Sequence, residues 1–248
     1  NEDMPFLVDS IVNYLEKLGL KISNIIHPVL FVTRDSNGKL EKISKDNGSK
    51  LESSIQIHLE KINSLEDIEA LQENIAKVLE NIALVVTDWK SMMELANKAK
   101  KQLEKVKNNP EILEIEDFVS WLNDGNFIFL GAKEFDIVEV KSKEYELKEV
   151  KNSSFGIFNS KHDDYKPEVL NSSFEEVTNS VANPYYIEIL KSRYRSRIHR
   201  LANAERIRIQ KFSDNGKVIG EFRFIGLFTS SAYFYNPNMI PLVRNKIT

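Results

Sequence analysis

The sequence predicts an α+β fold, on three observations. Apolar residues recur at helical spacing near the start and again over about 65–106. Alternation with period two runs through 22–59 and dominates after residue 126. The last two strands are joined by Asp214-Asn215-Gly216, a tight turn that makes its neighbours antiparallel.

The first element is a helix. Leu7, Ile11, Leu15 and Leu18 share one face, and Val8 and Val12 widen it. Asp3 is its expected N-cap, Pro5 fits its first turn, and Gly19 stands past its end. A helix that opens almost at residue 1, without an initiator Met, predicts a piece of a longer polypeptide. Ile22 to Thr33 reads as a strand interrupted at His27-Pro28, because proline cannot donate to a ladder. Asp35-Ser36-Asn37-Gly38 and Asn47-Gly48 are turn sequences. They bracket a weaker strand at 39–43, and Ser53, Ile55, Ile57 and Leu59 alternate along another. Ser64-Leu65-Glu66-Asp67 resembles a capping box with Asp in place of Glu. It opens a helical pattern that runs to about Val106, which either kinks near Thr87-Asp88 or bridges two domains. Residues 1–107 therefore read α-β-β-α. A strand upstream of Asn1 would complete most of a ferredoxin-like unit.

Asn108-Asn109-Pro110 is the clearest break and divides the chain into domains at 1–107 and 108–248. Beyond it a short helix carries Ile115, Phe118, Val119 and Leu122, with Gly125 past its end. Strands follow at 126–140, 145–150 and 155–158. A polar surface excursion is expected over 159–184. Strands at 194–200, 206–212 and 217–228 form an antiparallel sheet, and a last helix is expected from Pro237 to Ile247.

Composition removes several classes of function. Apolar residues make up 42% of the 248 residues, enough for a packed core. With 34 basic and 37 acidic residues, the net charge of −3 excludes a globally basic nucleic-acid binder. The absence of Cys removes disulfides, thiolate metal sites and thiol nucleophiles. No apolar run is long enough for a membrane span and no signal-peptide pattern opens the chain, so a soluble cytoplasmic protein is expected. His27, His58, His162 and His199 show no metal-ligand spacing and read as isolated side chains. His162-Asp163-Asp164 is at most a weak cation site in a polar loop. There is no Gly-rich dinucleotide fingerprint, phosphate-loop lysine or nucleophile elbow. No catalytic, cofactor or metal residue is expected in these residues.

One stretch breaks the charge balance. Residues 191–223 hold ten basic and three acidic side chains, +7 against −10 for the rest of the chain. Arg193, Arg195 and Arg197 alternate, as do Arg206 and Arg208, so strands would present them from one sheet region. Such a face suits phosphates, carboxylates or an acidic surface of the same long polypeptide. Aromatic interleaving for nucleic-acid stacking is poor here. The alternative is a solvated strand face balanced by acids elsewhere.

Three ordered landmarks then resemble one family. Asp3-Met4-Pro5-Phe6-Leu7-Val8-Asp9-Ser10, followed by Ile26-His27-Pro28-Val29, is similar to the N-terminal region of the large NAD-dependent glutamate dehydrogenases. Phe129-Leu130-Gly131 with Glu134-Phe135 resembles a second landmark, with Ala132 where the family tends to carry an aromatic. Ser196–Arg200, Asn215–Thr229 and Ile240–Arg244 resemble the third. The resemblance implies a parent enzyme that oxidatively deaminates L-glutamate to 2-oxoglutarate and ammonia. NAD and the catalytic residues would lie downstream, and this region would serve regulation or assembly in a homo-oligomer. It also implies an ACT-like first domain, a fold that senses amino acids in other enzymes. The second domain is then ACT-like or PAS-like. Ligand-binding ACT domains often show Asp-x-Pro-Gly at the first strand–helix turn. Here Asp3, Met4, Pro5, Phe6 and Leu7 make the candidate effector or interface site, with Phe6 in place of the glycine. Arg193, Arg195, Arg197, Arg206 and Arg208 make the candidate docking face.

Overall fold

A computed structural model describes residues 1–44, 50–60, 62, 64–106, 109–162 and 172–246. The chain divides into two compact units. The first is Asn1–Val86 with Arg197–Leu201, and the second is Thr87–Ser196 with Ala202–Thr248.

In the first unit, α1 spans Leu7–Lys17. Its end is as expected: Gly19 takes φ 74°. The Gly19 and Leu20 amides return to the carbonyls of Glu16 (2.9 Å) and Leu15 (3.1 Å), closing the last turn. Its start is a correction. Asp3 is not the N-cap, and the helix begins after Phe6, a residue with φ 72° and no side-chain cap. Asp3 is drawn away because its amide donates to Leu51 O at 2.9 Å and its carboxylate accepts from Ser53 Oγ at 2.5 Å.

The strand expected over 22–33 splits at His27-Pro28 into β1 (Ile22–Ile26) and β2 (Val29–Arg34). β3 is Leu40–Ser44, β4 Lys50–Ser53 and β5 Gln56–Leu59. β2 lies between β3 and β4, and β1 pairs with β5, all antiparallel. The turn before β3 is locally encoded. Asp35 Oδ1 accepts from the amides of Asn37 (2.9 Å) and Lys39 (2.8 Å), and Gly38 takes φ 81°. Asn47-Gly48 lies outside the described residues. Glu2 bridges to Glu52, so Asn1–Asp3 run beside β4. That is the ladder position a ferredoxin-like unit gives to the strand before its first helix.

The long helix α2 covers Leu65–Leu103, with Ser64 Oγ accepting from the Asp67 amide at 3.3 Å. It runs as one helix through Thr87-Asp88, and the two units divide there. Val78, Ile82 and Val85 form its buried stripe in the first unit. Met92, Leu95, Ala96, Ala99 and Leu103 form it in the second.

The second unit is built on one antiparallel sheet ordered β7-β6-β11-β10-β9. α3 (Glu111–Trp121) buries Ile112, Ile115, Phe118 and Val119. After a wide turn with Gly125 at φ 84°, it enters β6 (Phe127–Lys141). β7 is Glu144–Glu149, and the short β8 (Phe155–Gly156) also pairs with β6. The expected surface excursion is corrected in part. Ser173 accepts from the Glu176 amide at 3.1 Å and starts helix α4, Phe174–Ala182. β9 is Ile187–Arg195, displaced from the expected 194–200, because Pro184 is followed by the strand-forming run Ile187–Leu190. β10 is Asn203–Phe212 and β11 Val218–Phe228, joined as expected through Gly216 at φ 72°. α5 spans Ser230–Phe234. The last expected helix is also corrected. Among the described residues, Pro237–Met239 and Arg244–Lys246 form only single 3-10 turns. Pro241 between them lacks the N–H a helix needs.

Candidate functional site

The turn Asp3–Leu7 is positioned by its two ends. Asp3 is tied to β4, and Leu7, the first residue of α1, is 2% exposed. The Ser53 hydroxyl gives its single proton to Asp3, so its oxygen accepts from His27 Nε2 at 2.9 Å. Serine, histidine and carboxylate therefore meet. However, Ser53 is 3% exposed and its hydroxyl donates to Asp3 rather than to the histidine, the reverse of what activating a serine needs. The trio acts as a polar staple between the N-terminal segment, β4 and the β1–β2 break.

Phe6 holds the left-handed conformation that a glycine would adopt without cost, and its ring lies 5.4 Å from that of His199. His199 also reaches Asp9, its Nδ1 lying 3.3 Å from Oδ2, and its amide donates to Ser10 Oγ at 2.9 Å. Two of the sequence landmarks, 3–10 and 196–200, thus meet in the first unit. Reading His199 as an isolated side chain missed this. The only signal was that both segments belong to landmarks of one resemblance.

The five arginines do not share one face. Arg193 and Arg195 are exposed on the edge strand β9, and Arg197 lies beyond it in the loop to β10. Glu188 and Leu190 of β9 stand opposite Arg208 and Arg206 of β10, whereas Ile189 and Lys191 stand opposite Ile207 and Glu205. The odd-numbered side chains of β9 and the even-numbered ones of β10 therefore leave opposite faces.

Arg206 and Arg208 meet acids of their own unit. Arg206 Nη2 is 3.3 Å from Glu188. Arg208 bonds Glu176 at 2.9 Å, Glu188 at 3.3 Å and Glu221 at 3.0 Å. Arg223 Nε also donates to Glu221, and its Nη2 donates to Ser172 at 2.6 Å. Tyr185 OH donates to Glu221 at 3.2 Å while its ring lies 5.4 Å from the Arg208 guanidinium. Burial pushes the Glu221 carboxyl up, but Arg223 and Arg208 outweigh it and hold it below the usual carboxylate range. Burial, with the Glu221 charge beside it, pushes the Tyr185 hydroxyl up. Such a network fixes a sheet geometry and spends its positive charge internally. On the other face, Lys211 bonds Glu134 and Asp136, both at 2.6 Å, and Lys98 bonds Glu134 at 2.6 Å. The alternation Glu221-Phe222-Arg223-Phe224 stands in the sequence, but nothing there announced that both sets are buried.

The landmark glycines of the sheet serve packing. A Cβ on Gly220 or Gly226 would stand 2.2 Å from a carbonyl oxygen of β6. Ala132 is fully buried, and a Cβ on Gly131 would meet Ile157 and Phe158 at 3.1–3.2 Å. Among the described residues, no group of His, Asp and Glu is arranged to hold a metal ion. No described helix is long and apolar enough to cross a membrane. Asp163 and Asp164 lie outside the described residues.

The glutamate dehydrogenase ACT1 domain family matches residues 1–75. The NAD-specific glutamate dehydrogenase of Halomonas elongata is 31% identical over 100% of this chain and 16% of its own length. That of Pseudomonas aeruginosa is 29% identical over 99% of the chain and 15% of its own. The Mycobacterium tuberculosis protein of the same name is 27% identical over 50% of the chain and 8% of its own. The chain thus spans about a sixth of the length of the first two relatives. The first unit thus carries the ACT1 match, and over its whole length the chain is similar to the N-terminal region of the NAD-specific glutamate dehydrogenases.

Proposed function

We propose that these residues form a non-catalytic regulatory or assembly segment of an enzyme that oxidatively deaminates L-glutamate to 2-oxoglutarate and ammonia with NAD. In this reading residues 1–107 are an ACT-like domain and 108–248 a second α+β domain of ACT-like or PAS-like type. The rest of the same polypeptide and further copies of it are the partners, and the cytoplasm is its place. The observation that carries the reading is the extent of the match, the whole of this chain against 16% of a relative named as the dehydrogenase. The fold supports it, since every described strand pair is antiparallel. Dinucleotides bind at the switch point of parallel doubly wound sheets. The test is glutamate-dependent reduction of NAD by purified residues 1–248. No turnover is expected, and turnover would overturn the reading.

A second reading takes Asp3–Leu7 as an amino-acid effector site. It is favoured by Phe6, which keeps the positive φ of 72° that a ligand-approached glycine turn would use. Calorimetry with a panel of amino acids tests it, and a flat trace across the panel would remove it. Arg193 and Arg195, exposed on β9, are what remains of the candidate docking face. Salt-sensitive binding of phosphate or an acidic peptide, lost in Arg195→Ala, is the outcome that would support docking there.

A further inference from the structure

Two non-glycine residues with positive φ lie against each other in the first unit. Phe6 has φ 72° and His199 has φ 65°, and their rings are 5.4 Å apart. L-residues rarely adopt this conformation, and they keep it only where their surroundings over-determine it. Here each residue is part of what holds the other.

The remaining contacts converge on His199. Its amide donates to Ser10 Oγ at 2.9 Å, its carbonyl accepts from Asn13 Nδ2 at 2.7 Å, and its ring faces Asp9. One residue of the β9–β10 loop thus has its donor, its acceptor and its ring all used by the first two turns of α1. Ser10 and the neighbouring Ile198 are both fully buried, so the contact is not a surface brush. The loop Arg197–Leu201 belongs to the first unit, while Ser196 and Ala202 on either side belong to the second.

We propose that Phe6 and His199 form a strained latch with two states. In the closed state, seen here, the rings touch and the loop is gripped by Asp9, Ser10 and Asn13. In the open state both residues relax to negative φ, and Arg197–Leu201 leaves α1. The strain at both residues narrows the gap between the states, and the convergence of four contacts on one residue makes release cooperative. The latch goes beyond the regulatory reading above and does not depend on it, because its states are defined by this chain's own residues.

Hydrogen exchange read by mass spectrometry on the intact polypeptide tests it, using peptides over 196–202, α1, β10 and β11. Phe6→Ala keeps the strain and removes the ring, so it is expected to speed exchange at 197–201 at least tenfold with β10 and β11 unchanged. Phe6→Gly removes the ring and relaxes the backbone, so a smaller increase at the same residues is expected. It also carries the test should Phe6→Ala not fold. Lys143→Gly relaxes another positive-φ position (64°) and should leave the loop at its wild-type rate. Wild-type exchange at 197–201 in both Phe6 variants overturns the latch. So does an equal rise throughout β10 and β11, or the same rise in Lys143→Gly.

Discussion

The two units use the same alternating strand patterns and bury them very differently. In the first, Ile25, Ile26, Val29, Leu40, Ile43 and Leu51 are exposed. A cavity of about 580 Å³ is lined by Ile11, Leu15, Val32, Ile57, Ile75 and Leu79. In the second, most of β10 and β11 is buried on both faces, and one of those faces carries Arg208, Gln210, Glu221 and Arg223. Alternation therefore reports which side chains share a face and says nothing about what covers it. The first unit is held by a modest apolar core with polar staples. The second is held by close packing in which buried charges meet opposite charges.

The sharpest way to break this contrast is to remove one charge from each unit. Glu221→Ala takes one of three carboxylates from Arg208 and the carboxylate at Nε from Arg223, in a buried site. It is expected to cost about 3–5 kcal/mol, read by denaturant unfolding followed by tryptophan fluorescence. Both tryptophans, Trp89 and Trp121, lie in the second unit. Glu52→Ala in the first unit removes the pair with Arg34 (2.7 Å), which is partly exposed, and should leave hydrogen exchange in β2 and β4 nearly unchanged. Glu221 is held below its unfolded value, so its contribution is full above the ordinary carboxylate pKa and is lost as pH falls through the folded value. Stability of the second unit should drop in acid, and Glu221→Ala should flatten that drop. A variant with an unchanged acid slope would show that another group dominates there.

A smaller effect separates the packing of the two units. Ala132 is fully buried in the sheet of the second, and Ala132→Leu is expected to cost about 1–3 kcal/mol through overpacking. Leu79 lines the cavity of the first, so Leu79→Phe gains contacts there and should leave hydrogen exchange in α1 equal or slower. Equal destabilisation by both substitutions would erase the contrast in packing.

What could be read in the sequence was what local chemistry decides. Gly19, Gly38, Gly125 and Gly216 mark stops and turns because each takes a positive φ that other residues avoid. His27-Pro28 marks a strand break for an equally local reason. The misplaced elements were decided at a distance. Asp3 has the side chain of an N-cap but spends it on Ser53, so α1 starts later. α4 carries Phe174, Val177 and Val181 at helical spacing, but it is short, Phe174 is exposed, and the polar residues around it read as a loop. The arginine stripe failed as one face because the loop carrying Arg197 is claimed by α1 through His199, and because Glu176, Glu188 and Glu221 come from three separate elements. The family landmarks marked where the fold is most constrained, but not which landmark touches which.

The smallest expected difference concerns the two serine caps. Ser173 accepts from the Glu176 amide at 3.1 Å and starts a helix of only 9 residues. Ser64 accepts from the Asp67 amide at 3.3 Å and starts one of 39. A cap satisfies one of the first amides of its helix, so its removal frays the first turn in both cases. In α4 the first turn also carries Glu176, which bonds Arg208, so fraying there is transmitted to the buried network. Ser173→Ala is therefore expected to cost about 1 kcal/mol in the tryptophan-detected unfolding of the second unit. The first turn of α2 has Leu65 79% exposed and little packed on it, so fraying after Ser64→Ala stays local. That variant should speed exchange at 65–68 without moving the unfolding of either unit. If Ser64→Ala proved the more costly of the two, the start of α2 would have to be packed far more firmly than the rest of the first unit.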